Sequence, residues 1–207
     1  IYAVLMLYYR YHWDKIEIFE FEESPKNPQK LNQFSILISF RNEADQLEKL
    51  FNSIKKIDYL TDHFEVIFCD DYSIDQSYKL IEDFIISNKN LTIKLLSLNN
   101  QDLFEHKKAA IYKSFKHSQF PWILSTDADC IIPQNWLKVL NEFINKENPL
   151  MVSMPVLFIN KNKSYWNNWL NLEFSGLIAI GGAGIKSGLI NNCNAANLAY
   201  TREIFQE

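Results

Sequence analysis

Trp122-Ile123-Leu124-Ser125-Thr126-Asp127-Ala128-Asp129 is an apolar run that ends in two carboxylates separated by one residue. A short apolar run rich in β-formers, closed by polar residues, reads as a buried strand. Two carboxylates at its end are suited to holding a divalent cation, since hard cations take oxygen ligands. An Asp-x-Asp triplet alone is a weak signal, and its surroundings decide its meaning. Upstream, Phe64-Glu65-Val66-Ile67-Phe68-Cys69 runs into Asp70-Asp71-Tyr72-Ser73, and Phe34-Ser35-Ile36-Leu37-Ile38-Ser39-Phe40 runs into Arg41-Asn42-Glu43. Three strands thus end in polar clusters.

Between them the apolar spacing changes from two to that of a helix. Leu47, Leu50, Phe51 and Ile54 outline a helix over 44–56, and Leu80, Ile81, Phe84 and Ile85 outline another. A strand over 91–98 follows. A helix begins near Lys107 with Ala109, Ala110, Ile111, Ser114 and Phe115, and Pro133 opens one carrying Trp136, Leu137, Leu140 and Ile144. Residues 150–158 read as a further strand. Alternation of this kind predicts an α/β fold, a Rossmann-like, mostly parallel, doubly wound sheet, with ligands beyond the carboxyl ends of the strands. Further on, Trp166, Trp169, Leu170 and Phe174 outline a helix, and Gly181-Gly182-Ala183-Gly184 reads either as a flexible connection or as a loop holding sugar or phosphate.

The 207 residues, 47% of them hydrophobic, fit one folded domain with a core. A net charge of −4 without a dense basic stripe argues against nucleic acid as a partner. Cys69, Cys130 and Cys193 are widely spaced and odd in number, which suggests free thiols in a reducing compartment. No Cys-x-x-Cys pair offers a zinc site. Residues 1–16 begin with an apolar stretch followed by Tyr8, Tyr9, Arg10, Tyr11, His12 and Trp13, the composition of a membrane boundary. They read as the stub of a membrane helix or a juxtamembrane segment. Residues 17–33, with Ser24-Pro25 and Asn27-Pro28, read as a linker, and 34–207 as the catalytic domain.

In order, Ser39-Phe40-Arg41-Asn42-Glu43, Asp70-Asp71-Tyr72-Ser73-Ile74-Asp75, Lys107-Lys108-Ala109-Ala110, Asp127-Ala128-Asp129 and Cys193-Asn194-Ala195-Ala196-Asn197-Leu198-Ala199-Tyr200 resemble the motifs of the nucleotide-sugar-dependent glycosyltransferases of family 2. That family often has Gly where Tyr72 and Ala195 stand. The resemblance implies the GT-A fold, an inverting transfer, a nucleotide diphosphate sugar as donor, and Mg²⁺ or Mn²⁺ held by Asp127 and Asp129. It places Ser39, Arg41, Glu43, Asp70, Asp71, Lys108 and Asp127 in the nucleotide site. One of the pair Asp70 and Asp71, with Asp71 preferred, accepts hydrogen bonds from the base or ribose. Arg41 pairs either with phosphate or with Glu43 or Asp71. Lys108 is favoured for phosphate because a cation at a helix N-terminus is unfavourable unless an anion is near; Lys107 stands evenly between that role and solvated surface. Asp75 reads as a helix cap and His106 as a solvated loop residue. In the family the catalytic base lies well past the Asn194 motif, hence beyond Glu207, and the chain reads as the donor-binding portion of a larger enzyme. The acceptor, whether lipid-linked, glycan or other, is not legible, and the expected location is the cytoplasmic face of a membrane.

Other functions fit less well. A dinucleotide-dependent oxidoreductase needs glycines after its first strand, and Arg41-Asn42-Glu43-Ala44-Asp45 has none. An Asp-x-Asp phosphatase usually carries that motif on its first core strand, whereas Asp127 ends the fourth. A nucleotide-sugar-binding module without turnover is the remaining alternative.

Overall fold

The computed structural model describes residues 2–21, 30–99, 104, 106–159, 164–189 and 193–204. The linker signals at Ser24-Pro25 and Asn27-Pro28 lie outside these residues. Contacts divide the chain into two compact units.

The larger unit comprises 21–152 and 199–207. It contains β1 (Phe34–Phe40), α2 (Ala44–Ile54), β2 (Phe64–Asp70), α3 (Ser77–Ser87), β3 (Ile93–Ser97), α4 (His106–His117), β4 (Trp122–Asp127) and α5 (Trp136–Glu147). Strands β2 and β4 run parallel on either side of β1, and β3 runs parallel to β2. With β5 (Met151–Ser153) and β6 (Leu198–Thr201) the sheet has six strands in the order β3-β2-β1-β4-β6-β5. All seven residues of β2 are buried, and β1 is buried but for Ser39. Strands covered on both faces read as continuous apolar runs, which is why the sequence shows them so plainly.

Adjacent strand residues point to opposite faces. Phe68 packs edge-on against Phe51 of α2, which stacks on Phe84 of α3 with centroids 4.1 Å apart. Cys69 clusters with Ala109 and Ala110 of α4 and with Leu98 on the other face. The sheet is therefore doubly wound. Full burial of Phe34, Phe64 and Phe68 contributes about 1.5–3 kcal/mol each.

The predicted strand over 150–158 is only Met151–Ser153. Pro155, which has no N–H for a ladder, follows two residues later.

The smaller unit comprises Ile1–Glu20 and Ser153–Leu198. Its helices are α1 (Tyr2–Trp13) and α6 (Tyr165–Ser187), and a 3₁₀ turn spans Ala195–Asn197. Ser164 caps α6 by accepting from Asn167 N. The expectation of a loop at Gly181-Gly182-Ala183-Gly184 is corrected, because α6 runs through all of it. The reason is tertiary: a Cβ on Gly182 would lie 3.1 Å from Trp13 Cζ3 and 3.4 Å from Ile16 Cδ1, so the glycine lets helix and chain approach. No helix among the described residues is long and apolar enough to cross a membrane. No disulfide joins Cys69, Cys130 and Cys193.

Candidate functional site

From β1 the chain builds outward through β2 to β3, then returns to place β4 on the opposite side of β1. Such a reversal leaves a crevice beyond the carboxyl ends of the two central strands. The register fixes what meets there: Ser39 lies opposite Asp127 on one side and Cys69 on the other, and Phe40 lies opposite Asp70. A cleft of ≈ 270 Å³ opens at this point, just below the roughly 300–1,000 Å³ of small-molecule sites. Ser39, Phe40, Arg41 and Glu43 line it from β1 and its following turn, and Asp71 from the turn after β2. Asp127, Ala128 and Asp129 line it from β4, with Lys107 from α4.

The β4 side of the cleft is acidic. Burial pushes the Glu43 carboxyl up from its ordinary value, and the charges of Asp129, Asp75 and Asp127 push it further. Lys107 Nζ donates to Asp127 Oδ1, so that oxygen already takes a cation from the cleft side. Among the described residues no three His, Cys, Asp or Glu side chains gather into a metal cage. The arrangement fits an ion such as Mg²⁺ or Mn²⁺, which is typically bound through one or two carboxylates and completes its shell with phosphate oxygens and water. Asp127 is half-buried and Asp129 exposed, and Cys130 Sγ lies 3.8 Å from Asp129 Oδ1.

Asp71 anchors the other side. Its amide donates to Phe40 O at 2.9 Å, its residue is 7% exposed, and its Oδ1 accepts no hydrogen bond. The nearest basic groups make no hydrogen bond to Oδ1: His106 Nδ1 stands 3.4 Å from Oδ1 and Arg41 Nη1 4.0 Å from Oδ2. A buried acceptor without a donor costs about 1–3 kcal/mol, a cost that a ligand N–H or O–H would remove. Asp70 points elsewhere, accepting from Ser73 N at 3.0 Å. Of the two protein carboxylates weighed for Arg41, Asp71 is the one at ion-pair distance, and His106 Nδ1 lies closer still, 3.3 Å from Nη1.

The structure separates the two lysines differently from the sequence. Lys107 faces the cleft, whereas Lys108 is exposed with its Nζ 4.3 Å over the Phe104 ring. Successive helical residues point about 100° apart, so one of the pair faces away. His106, read from the sequence as a solvated loop residue, opens α4 at φ 52° and joins Arg41 and Asp71, with Nδ1 3.3 Å from Arg41 Nη1. No spacing signal pointed to it. Asp75 is a cap, as expected, yet it serves two helices: Oδ1 accepts from Ser77 N and Oδ2 from Ala44 N. Desolvation pushes its carboxyl up, but the bonds from Ser77 and Ala44 more than offset this and hold it below the usual range. In the smaller unit, Asn194 caps the 3₁₀ turn by accepting from Ala196 N, and Asn197 Nδ2 donates to Pro155 O.

A family model, Glycosyl transferase family 2, matches residues 35–207. The poly(ribitol-phosphate) β-N-acetylglucosaminyltransferase TarS of Staphylococcus aureus (strain Mu50 / ATCC 700699) is 28% identical over 117 residues, which is 56% of this chain and 19% of that protein. The undecaprenyl-phosphate 4-deoxy-4-formamido-L-arabinose transferase of Proteus mirabilis (strain HI4320) is 29% identical over 102 residues, 49% of this chain and 30% of that one. The chain therefore spans less than a third of the length of these relatives. Among solved structures, the mannosyltransferase PcManGT of Pyrobaculum calidifontis, in complex with GDP-Man and Mn²⁺, superposes with a TM-score of 0.69 at 18% identity, covering 99% of this chain and 54% of that one. S. aureus TarS 1-349 in complex with UDP gives 0.54 at 23% identity, covering 64% and 38%. The fold is that of the GT-A glycosyltransferases.

Proposed function

This chain belongs to glycosyltransferase family 2, and we propose that its cleft binds a nucleotide diphosphate sugar together with Mg²⁺ or Mn²⁺ for inverting transfer. The observation that carries this reading is the pairing of an acidic cluster with an unsatisfied buried carboxylate at the two ends of one switch-point cleft. Asp127 and Asp129 would hold the cation, which as a Lewis acid offsets the charge that grows on the departing diphosphate. The Glu43 carboxyl adds negative potential that favours the cation. Lys107, already reaching into the cleft, is placed to pair a phosphate oxygen. Asp71 accepts a hydrogen bond from the base or ribose, and Arg41 stands beside it as its counter-charge.

In the transfer itself an acceptor hydroxyl gives its proton to a carboxylate base and attacks the anomeric carbon. The bond to the diphosphate oxygen breaks on the opposite face, with its electron pair leaving on the diphosphate. Relatives named for poly(ribitol-phosphate) and undecaprenyl-phosphate support an acceptor of the phosphate-polymer or polyprenyl-phosphate class. Work at the cytoplasmic face of a membrane is proposed on the support of three cysteines that form no disulfide and of exposed Tyr2, Leu7, Trp13, Tyr165, Trp166 and Trp169.

Calorimetry tests the donor reading. Uridine or guanosine diphosphate is expected to bind with Mn²⁺ or Mg²⁺ and to weaken greatly with chelator, and Asp129→Asn to lose about 1–3 kcal/mol of that metal-dependent affinity. Equal affinity with and without chelator would remove the metal from the site.

A further inference from the structure

The turn after β1 and the turn after β2 are tied to each other by side chains that reach across. Asn42 N donates to Ser73 Oγ at 3.1 Å, and Ile74 N donates back to Asn42 Oδ1 at 2.8 Å. Glu43 N donates to Ser77 Oγ at 2.8 Å and Ala44 N to Asp75 Oδ2 at 3.2 Å, while Asp75 Oδ1 takes Ser77 N at 3.0 Å. The residues preceding α2 and α3, Glu43 and Gln76, make no side-chain cap of their own. The start of α2 is thus capped from the neighbouring turn, and its amides at Glu43 and Ala44 are consumed. They are not offered to a phosphate, as open helix N-termini usually are.

This cross-linking joins the two turns that carry Arg41 and Asp71, the residues assigned above to the nucleoside end. Asn42 follows Arg41, and Asp75 closes the turn that starts at Asp71. Asn42 holds a left-handed backbone at φ 56° and Tyr72 one at φ 57°. Conformations of that kind are disfavoured for ordinary residues and persist where surrounding bonds impose them. These two turns carry Arg41 and Asp71, whose Nη1 and Oδ2 lie 4.0 Å apart. The other side of the cleft, Lys107 with Asp127 and Asp129, comes from α4 and β4 and shares none of these hydrogen bonds; Glu43, whose amide belongs to the linkage, meets that side through the charge of its carboxyl.

We propose that Asn42 and Asp75 are positioning residues for the nucleoside end of the donor site, holding the Arg41 turn and the Asp71 turn as one plate. This inference rests on the donor reading above. It divides the cleft into a half whose geometry depends on the plate and a half that does not, and ligands lacking a nucleoside distinguish the two.

The experiment compares Mn²⁺-dependent binding of uridine diphosphate and of inorganic pyrophosphate. Asn42→Gly keeps the left-handed backbone at no steric cost and removes the acceptor for Ile74 N. Through the loss of positioning it is expected to weaken uridine diphosphate about tenfold, within the range by which residues that do not touch a ligand alter its binding, and to leave pyrophosphate unchanged. Asn42→Asp, which retains an oxygen at the accepting position, should restore nucleotide binding. Ser73→Ala, a milder loss, should weaken it in the same direction and serves if Asn42→Gly fails to fold. Unchanged nucleotide affinity in both variants overturns the proposal, and so does an equal loss for both ligands, which marks a general structural role. Wild-type protein that binds pyrophosphate but no nucleoside diphosphate overturns the donor reading instead. The plate is then judged by amide exchange: Asn42→Gly must speed exchange in 73–77 as well as in 41–44, and unchanged exchange at 73–77 overturns it.

Discussion

Two buried carboxylates, Glu65 near the start of β2 and Asp71 just past its end, are treated in opposite ways. Glu65 is 0% exposed and saturated: Ser35 Oγ and Gln119 N each donate to Oε1 at 2.7 Å, and Lys94 Nζ pairs with Oε2 at 2.8 Å. Asp71, nearly as buried, has an oxygen that accepts no hydrogen bond, with His106 Nδ1 3.4 Å from it and Arg41 Nη1 4.0 Å from its other oxygen. Ser35 lies on β1, Lys94 on β3 and Gln119 just before β4, so Glu65 binds the amino ends of the sheet together. At the carboxyl ends the equivalent demand is left to a ligand. One end of the sheet is built for cohesion and the other for recognition.

The largest expected effect falls at the closed end. Lys94→Met leaves Glu65 buried without its counter-ion, and denaturant unfolding should show a loss of about 3 kcal/mol. A loss below about 0.5 kcal/mol would mean that Ser35 and Gln119 suffice and that the closure is not electrostatic.

At the open end the balance is reversed. Asp71→Asn breaks no hydrogen bond at Oδ1 and removes an imperfectly paired charge, so stability should stay within about 0.5 kcal/mol of wild type. Discrimination among nucleoside diphosphates should fall by about 1 kcal/mol. If instead the variant unfolds readily while selecting bases as before, Asp71 belongs with Glu65 as a structural group.

The smallest effect concerns Glu43, whose carboxyl lies above its ordinary value through burial and then through Asp129, Asp75 and Asp127. A carboxyl raised in the folded state holds its proton longer there than in the unfolded chain. Its contribution is therefore most favourable at low pH and declines as pH rises from the unfolded value through the folded one, above which it is flat. Glu43→Gln should remove that segment of the stability-versus-pH curve and, because solvent screens this partly exposed group, raise stability at neutral pH only slightly. An identical curve for variant and wild type would show that the acidic cluster imposes no net strain.

The central strands were legible because burial on both faces writes an uninterrupted apolar signal, and each polar cluster marked a strand end. The cleft followed from that order, since only β1 and β4 can flank a switch point in a sheet that grows outward and then reverses. What escaped the sequence was set by direction and by distant partners. Lys107 and Lys108 are indistinguishable in a string but face different ways on α4. His106 reached Asp71 through a backbone turn at φ 52° that nothing in its spacing announced. The glycines at 181–184 suggested a loop because the close approach of Trp13 and Ile16 to Gly182, which accounts for that residue, comes from the far end of the sequence. Asp75 was recognised as a cap, but that it caps a second helix thirty-odd residues back is a fact of the fold alone.

Asp75 ending two helices has a consequence for how this surface tolerates change in length. Loops at sheet ends ordinarily absorb insertions and deletions readily. Here one added residue between Phe40 and Ala44 would slide Asn42, Glu43 and Ala44 past Ser73, Asp75 and Ser77 together, and a deletion between Asp71 and Ser77 would do the same in reverse. The two turns form a single cassette whose lengths are fixed jointly, so grafting donor specificity onto this scaffold would require both to be exchanged at once.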